Sequence, residues 1–154
     1  MFSTLASYLL APLFVFGVYH LLTWFNVMQI NARATWKRVA IASGISHILL
    51  VSGFLVFSYL EAGGADFGPF LFDRSTFWRM AAVFDTAPML VILAVFFLLD
   101  RAGISPPGVL FLTFAIVYVV GTLQWFLVGG AVGAILEKFW AGLKTPEPED
   151  DQWL

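Results

Sequence analysis

Cysteine is absent from this chain of 154 residues, and charge is scarce, with Asp, Glu, Lys and Arg making up only 12%. The first absence removes disulfides, thiolate-held iron–sulfur clusters, thiol nucleophiles and cysteine zinc sites. The second, with a formal net charge of −2, removes a basic nucleic-acid binder. Histidine is nearly as rare, at two residues. No H-E-x-x-H, no G-x-S-x-G and no Gly-rich phosphate loop followed by Lys occurs. No residue is therefore assigned a catalytic role, and the polar stretches are too short to fold an enzymatic domain of their own.

What remains is apolar. Hydrophobic residues make up 60% of the chain, including 17 Phe and 6 Trp, and the mean hydropathy is +0.89. A soluble domain of this length buries only about two thirds of the surface its unfolded chain exposes, so lipid must cover much of the rest. Four apolar runs reach the roughly 20 helical residues needed to cross a hydrocarbon core: Leu5 to Met28, Val39 to Leu60, Phe77 to Leu99 and Gly108 to Leu136. The first has no basic segment before it and is long for a signal sequence, so it is expected to be retained. Continuous rather than alternating apolar residues make the spans helices, not barrel strands.

The connections, Gln29 to Arg38, Glu61 to Thr76 and Asp100 to Pro107, are short enough to make neighbouring spans antiparallel. The expected fold is an all-α, integral membrane four-helix bundle running up-down-up-down, a single domain over residues 1–136. Residues 137–154 then form an interfacial anchor (Lys138, Phe139, Trp140, Lys144) and an acidic, proline-bearing tail expected to be disordered. The basic residues divide evenly, Arg33, Lys37, Arg38 and Arg101 against Arg74, Arg79, Lys138 and Lys144. Three of them crowd the first connection, which points both termini away from the cytoplasm of a bacterial-type plasma (inner) membrane.

Ionisable groups within apolar spans are the first places to look for function. His20 and His47 are equidistant from the middle of the first connection, which puts them at one depth in an antiparallel hairpin. Each follows a glycine by three residues, Gly17 and Gly44, so each stands beside a gap on its helix face. Two imidazoles so placed suit the iron of a b-type haem. They equally suit interhelical hydrogen bonds, with Ser43, Ser46 and Ser52 as available partners, or a proton relay. Asp85, three residues before Pro88, either lines a polar pocket at a helix kink, with Gln124 within its reach, or caps a helix restarting there. Gly121, Trp125, Gly129 and Gly133 recur at four-residue spacing and form a flat stripe for helix packing.

Three functions follow from these features. The first is a non-catalytic subunit or assembly partner that packs its glycine stripe on other transmembrane helices, in a hetero- or homo-oligomer. The second is a haem b electron-transfer or quinone-linked module on His20 and His47, with no metal beyond the haem iron. The third is a small proton, ion or solute transporter in which Asp85 and Gln124 carry the relay.

Overall fold

The computed structural model describes residues 2–63, 85–103 and 108–143, with residues 2–9 and Leu110 described by their backbone alone. Among these residues every regular element is helical. Helix α1 covers Phe2–Trp24, α2 Thr35–Ala62, α3 Thr86–Arg101, α4 Val109–Ile116 and α5 Thr122–Leu143. A π-helical turn, Val117–Gly121, joins α4 to α5 in one continuous rod. The expected span beginning at Phe77 lies outside the described residues as far as Phe84. So do Arg74, Arg79, most of the second connection, Ser105 to Pro107 and the acidic tail.

The first turn of the chain comes earlier than expected. Helix α1 stops at Trp24 rather than Met28 because Asn26, Met28 and Gln29 adopt positive φ angles of 47°, 54° and 53°, a conformation that no α-helix of L-residues continues. Side chains close the turn: the Asn31 N–H donates to Asn26 Oδ1 at 3.1 Å and Asn31 Nδ2 to the Thr23 carbonyl at 3.0 Å. Arg38 adds bonds from Nε to the Arg33 carbonyl at 2.7 Å and from Nη2 to the Asn31 carbonyl at 2.6 Å. Helix α2 then starts at Thr35, four residues before the expected Val39, and Lys37 and Arg38 belong to its first turn. Its Trp36 N–H meets Glu137 Oε2 of α5 at 3.4 Å, so an acidic side chain from another helix serves its N-terminus.

Helix α2 and the α4–α5 rod form the main antiparallel pair, and the glycine stripe is their seam. A Cβ added at Gly133 would stand 2.7 Å from Trp36 Cα, one at Gly129 would collide with the Ser43 side chain, and one at Gly121 would lie 2.6 Å from His47 Nε2. The stripe read from the sequence as a groove for some helix is filled by α2 of the same chain. Small residues let the two backbones approach closely, as packing in lipid requires.

Helix α3 runs in the same direction as α2, not against it. Asp85 at its start meets His47, and Ile92 further along packs with Val51 of α2 and Val117 of the rod. The expected alternation of all four spans therefore fails at α2 and α3. At 16 residues α3 is only about 24 Å long. It starts level with the middle of α2 and covers one half of the bundle, with Met89, Phe96 and Phe114 around the Ile92 cluster. A second cluster, Val18, Leu22, Ile30 and Ala42, ties α1 to α2. Two helical stretches, Thr35–Ala62 and Phe111–Leu143, are long and apolar enough to cross a membrane, and Leu10–Trp24 is a shorter apolar helix.

The seam gives a direct test. Gly133→Leu drives side-chain atoms into the backbone of α2, an overpacking that costs about 1–3 kcal/mol or more. Thermal unfolding in detergent, followed by circular dichroism, is expected to show a lower midpoint for this variant than for Gly142→Leu, whose Cβ meets nothing within 4 Å.

Candidate functional site

The site grows from the place where α3 begins. Asp85 occupies the position before the first helical residue, and its carbonyl accepts from the Met89 N–H at 3.0 Å. Pro88 falls in the first turn, where a missing N–H costs nothing, so it fits the start of the helix. Yet the Asp85 carboxylate makes no capping bond. Gln124 of α5 takes over that task, its Oε1 accepting from the Ala87 N–H at 3.0 Å. The two residues expected to meet each other thus divide the labour: Gln124 serves the helix end and leaves Asp85 free for other partners.

Those partners are His47 and Trp125. Asp85 Oδ2 lies 3.1 Å from His47 Nε2, and Asp85 Oδ1 accepts from Trp125 Nε1 at 3.1 Å. The other ring nitrogen, His47 Nδ1, is 3.0 Å from Thr122 Oγ1. His47 is 1% exposed and Asp85 2%. With Nε2–H donating to the carboxylate and the Thr122 hydroxyl donating to Nδ1, every polar atom of the network has a partner. The Trp125 ring packs beside the imidazole, centroids 5.6 Å apart. One turn further along, Ser52 Oγ and Tyr118 Oη are 2.9 Å apart, which continues the polar interior toward the far end of α2.

The local sequence explains the placement. Gly121 has no side chain, and only such a residue lets the His47 ring lie against the α4–α5 backbone. The π turn that ends on Gly121 holds one extra residue relative to an α-helix, a device common at functional sites. Trp125 follows Thr122 by three residues and so shares its face. Thr122 was not singled out in the sequence, although its position beside Gly121 on the stripe is the signal that marks it. Trp125 was read for packing alone, and its indole N–H as the second donor to a buried carboxylate was missed.

The two histidines are not brought together. His20 is exposed on α1, with its ring against Phe16 and Tyr19 at centroid distances of 4.3 and 5.8 Å. It faces a groove whose opposite wall includes Ser43, one turn before His47 on α2. The early turn at Asn26 shifts α1 against α2 and removes the equal depth expected from spacing. Both nitrogens of His47 are taken, and the Gly121 backbone closes on Nε2. The residues present do not fit an iron between two imidazoles. Ser46, offered as a partner for a histidine, donates instead to the Ala42 carbonyl at 2.7 Å.

A carboxylate, an imidazole and a hydroxyl in this order also occur where a hydroxyl is activated for nucleophilic attack. That chemistry needs free N–H donors beside the hydroxyl to hold an oxyanion. Here the Thr122 N–H is already bonded to the carbonyls of Tyr118 and Val119, and the hydroxyl points into a helix seam. What remains is a buried carboxylate–imidazole–hydroxyl chain in which each polar atom has a partner. Comparison with protein-family models, with curated proteins and with solved structures returns no match.

Removing the carboxylate takes the acceptor from the buried His47 Nε2–H and from the half-buried Trp125 Nε1–H. Asp85→Ala is expected to destabilise the protein by about 2–5 kcal/mol and to shift Trp125 fluorescence. Gln124→Leu, which unpairs one backbone N–H, is expected to cost about 1–3 kcal/mol. Denaturation in detergent ranks the two, and Gln124→Leu more damaging than Asp85→Ala would contradict this division of roles.

Proposed function

We propose that the chain is an integral membrane protein whose helices enclose a proton relay centred on Asp85 and His47. The membrane part of this reading rests on what the helices leave outside. Large apolar side chains such as Leu13, Trp24, Phe57, Leu93, Phe111 and Phe139 are exposed around the bundle, far beyond the patch size a soluble monomer tolerates. Lipid is the solvent that suits them, and α2 and the α4–α5 rod have the length to cross it. Helix α3, starting at mid-depth, is then a half-helix whose end meets other side chains instead of water. A helix end at such depth is tolerated in a membrane only where it is served inside the protein.

The relay reading is carried by one observation: a carboxylate and an imidazole, both buried, are hydrogen-bonded to each other and continued by hydroxyls. From Asp85 hydrogen bonds run to His47 and Thr122, and a second bonded pair, Tyr118 and Ser52, lies one turn on. On its other side Trp125 and Gln124 separate Asp85 from the groove beside α1. Side chains that both donate and accept can pass a proton by changing partners in turn, and an intramembrane acid–imidazole pair is the usual place to hold it. The assembly-partner reading is less favoured, because the glycine stripe that motivated it is filled by α2 within the chain.

The test is proton flux into liposomes holding the purified protein and a pH-sensitive dye. Wild type is expected to relax an imposed pH gradient faster than protein-free liposomes. Asp85→Asn, which keeps the shape but removes the carboxylate, is expected to slow this by at least roughly tenfold with the folded fraction unchanged. No flux in wild type, or equal flux in the variant, would overturn the proposal.

A further inference from the structure

A groove of about 750 Å³ lies between α1 and the seam of α2 and α5. That volume falls in the range of small-molecule sites. Its walls are apolar and aromatic, with Val15, Phe16 and Tyr19 on one side and Val128, Val132 and Trp140 on the other. No Asp, Glu, Lys or Arg lines it.

Several polar side chains line this space without a hydrogen-bond partner among the described residues: Ser43, His20, Tyr19, Thr35 and Trp140; the first two lie on facing walls. Ser43 is only 5% exposed, and its hydroxyl makes no hydrogen bond among the described residues. Its near neighbour Ser46 shows the bond such a residue ordinarily makes, back to the carbonyl one turn earlier. Ser43 does not make it: its side chain lies against Gly129 in the seam, at the edge where that seam lines the groove. His20 is the second: its ring is held by Phe16 and Tyr19, and its nitrogens have no hydrogen-bond partner among the described residues. A donor left unpaired in an apolar site costs about 1–3 kcal/mol. A plain hydrocarbon tail filling the groove would leave both unpaired.

We infer that this groove binds a neutral, long-tailed lipophile with a flat, oxygen-bearing head, chemically of the quinone type. The absence of charge in the lining selects a neutral head. The rings of Phe16, Tyr19 and Trp125 offer flat surface to a ring, and the Ser43 O–H and a His20 N–H are donors that match carbonyl oxygens. The groove borders the relay, since Gln124 and Trp125 line it, but the donors assigned to the ligand are Ser43 and His20, and its occupancy does not require that Asp85 move a proton.

The experiment titrates a decyl-substituted benzoquinone into the purified protein in detergent at fixed micelle concentration, followed by quenching of tryptophan fluorescence. Decylbenzene, with the same tail and no oxygen, is the competitor. Saturable binding is expected, with Ser43→Ala and His20→Phe each weakening it roughly five- to tenfold, the effect of losing one hydrogen bond. Decylbenzene is expected not to displace the quinone. His20 is exposed on α1, so its variant keeps the fold and serves as the decisive arm if Ser43→Ala disturbs the seam. Absence of saturation, displacement by decylbenzene, or wild-type affinity in the His20 variant would each overturn the inference.

Discussion

The bond between His47 and Asp85 is the constraint on which the rest of the arrangement depends. A carboxylate this deeply buried must be partnered, because an isolated one in a medium of low polarity is too costly to keep. The requirement fixes three helices at once. Helix α2 must present His47, α3 must begin where its first polar side chain reaches that ring, and the α4–α5 rod must supply Trp125 and Thr122 on one face. Gly121 follows from the same demand, since any side chain there would occupy the space of the imidazole. Even the capping of α3 is rearranged to suit, with Gln124 reaching across to an amide that Asp85 sits next to but does not serve.

Two helices are thus served at their N-termini by side chains of α5: Gln124 at α3 and Glu137 at α2. The first N–H groups of a helix have no partner within it, so side chains of a neighbouring helix can serve them. The α4–α5 rod is accordingly the organising element, apolar on its outer face and carrying glycines and polar tips on its inner one.

Helical class, the apolar character of the spans and the close-packing role of Gly121, Gly129 and Gly133 were legible in the sequence, because continuous apolar runs and four-residue spacing are local signals. The importance of His47 and Asp85 was legible for a simpler reason: ionisable residues in apolar runs stand out. Their pairing was not, since it depends on the direction of α3, and no local pattern distinguishes a half-helix parallel to α2 from a full antiparallel crossing. The position of His20 was misjudged for a related reason. The left-handed turn at Asn26, Met28 and Gln29 has no glycine to announce it, so the connection was drawn too late and the two histidines were set level when they face different spaces. Ser43 was noticed only as a partner for histidine. Its lack of a partner among the described residues is a property of the packed helices alone.

The central claim is that His47 and Asp85 act as one energetic unit, and a double-mutant cycle measures this most directly. Unfolding free energies in detergent are compared for wild type, His47→Leu, Asp85→Leu and the double variant. Strong non-additivity is expected, with the double variant less destabilised than the sum of the singles by about 1 kcal/mol or more. Additivity within about 0.3–0.5 kcal/mol, the behaviour of independent sites, would contradict it.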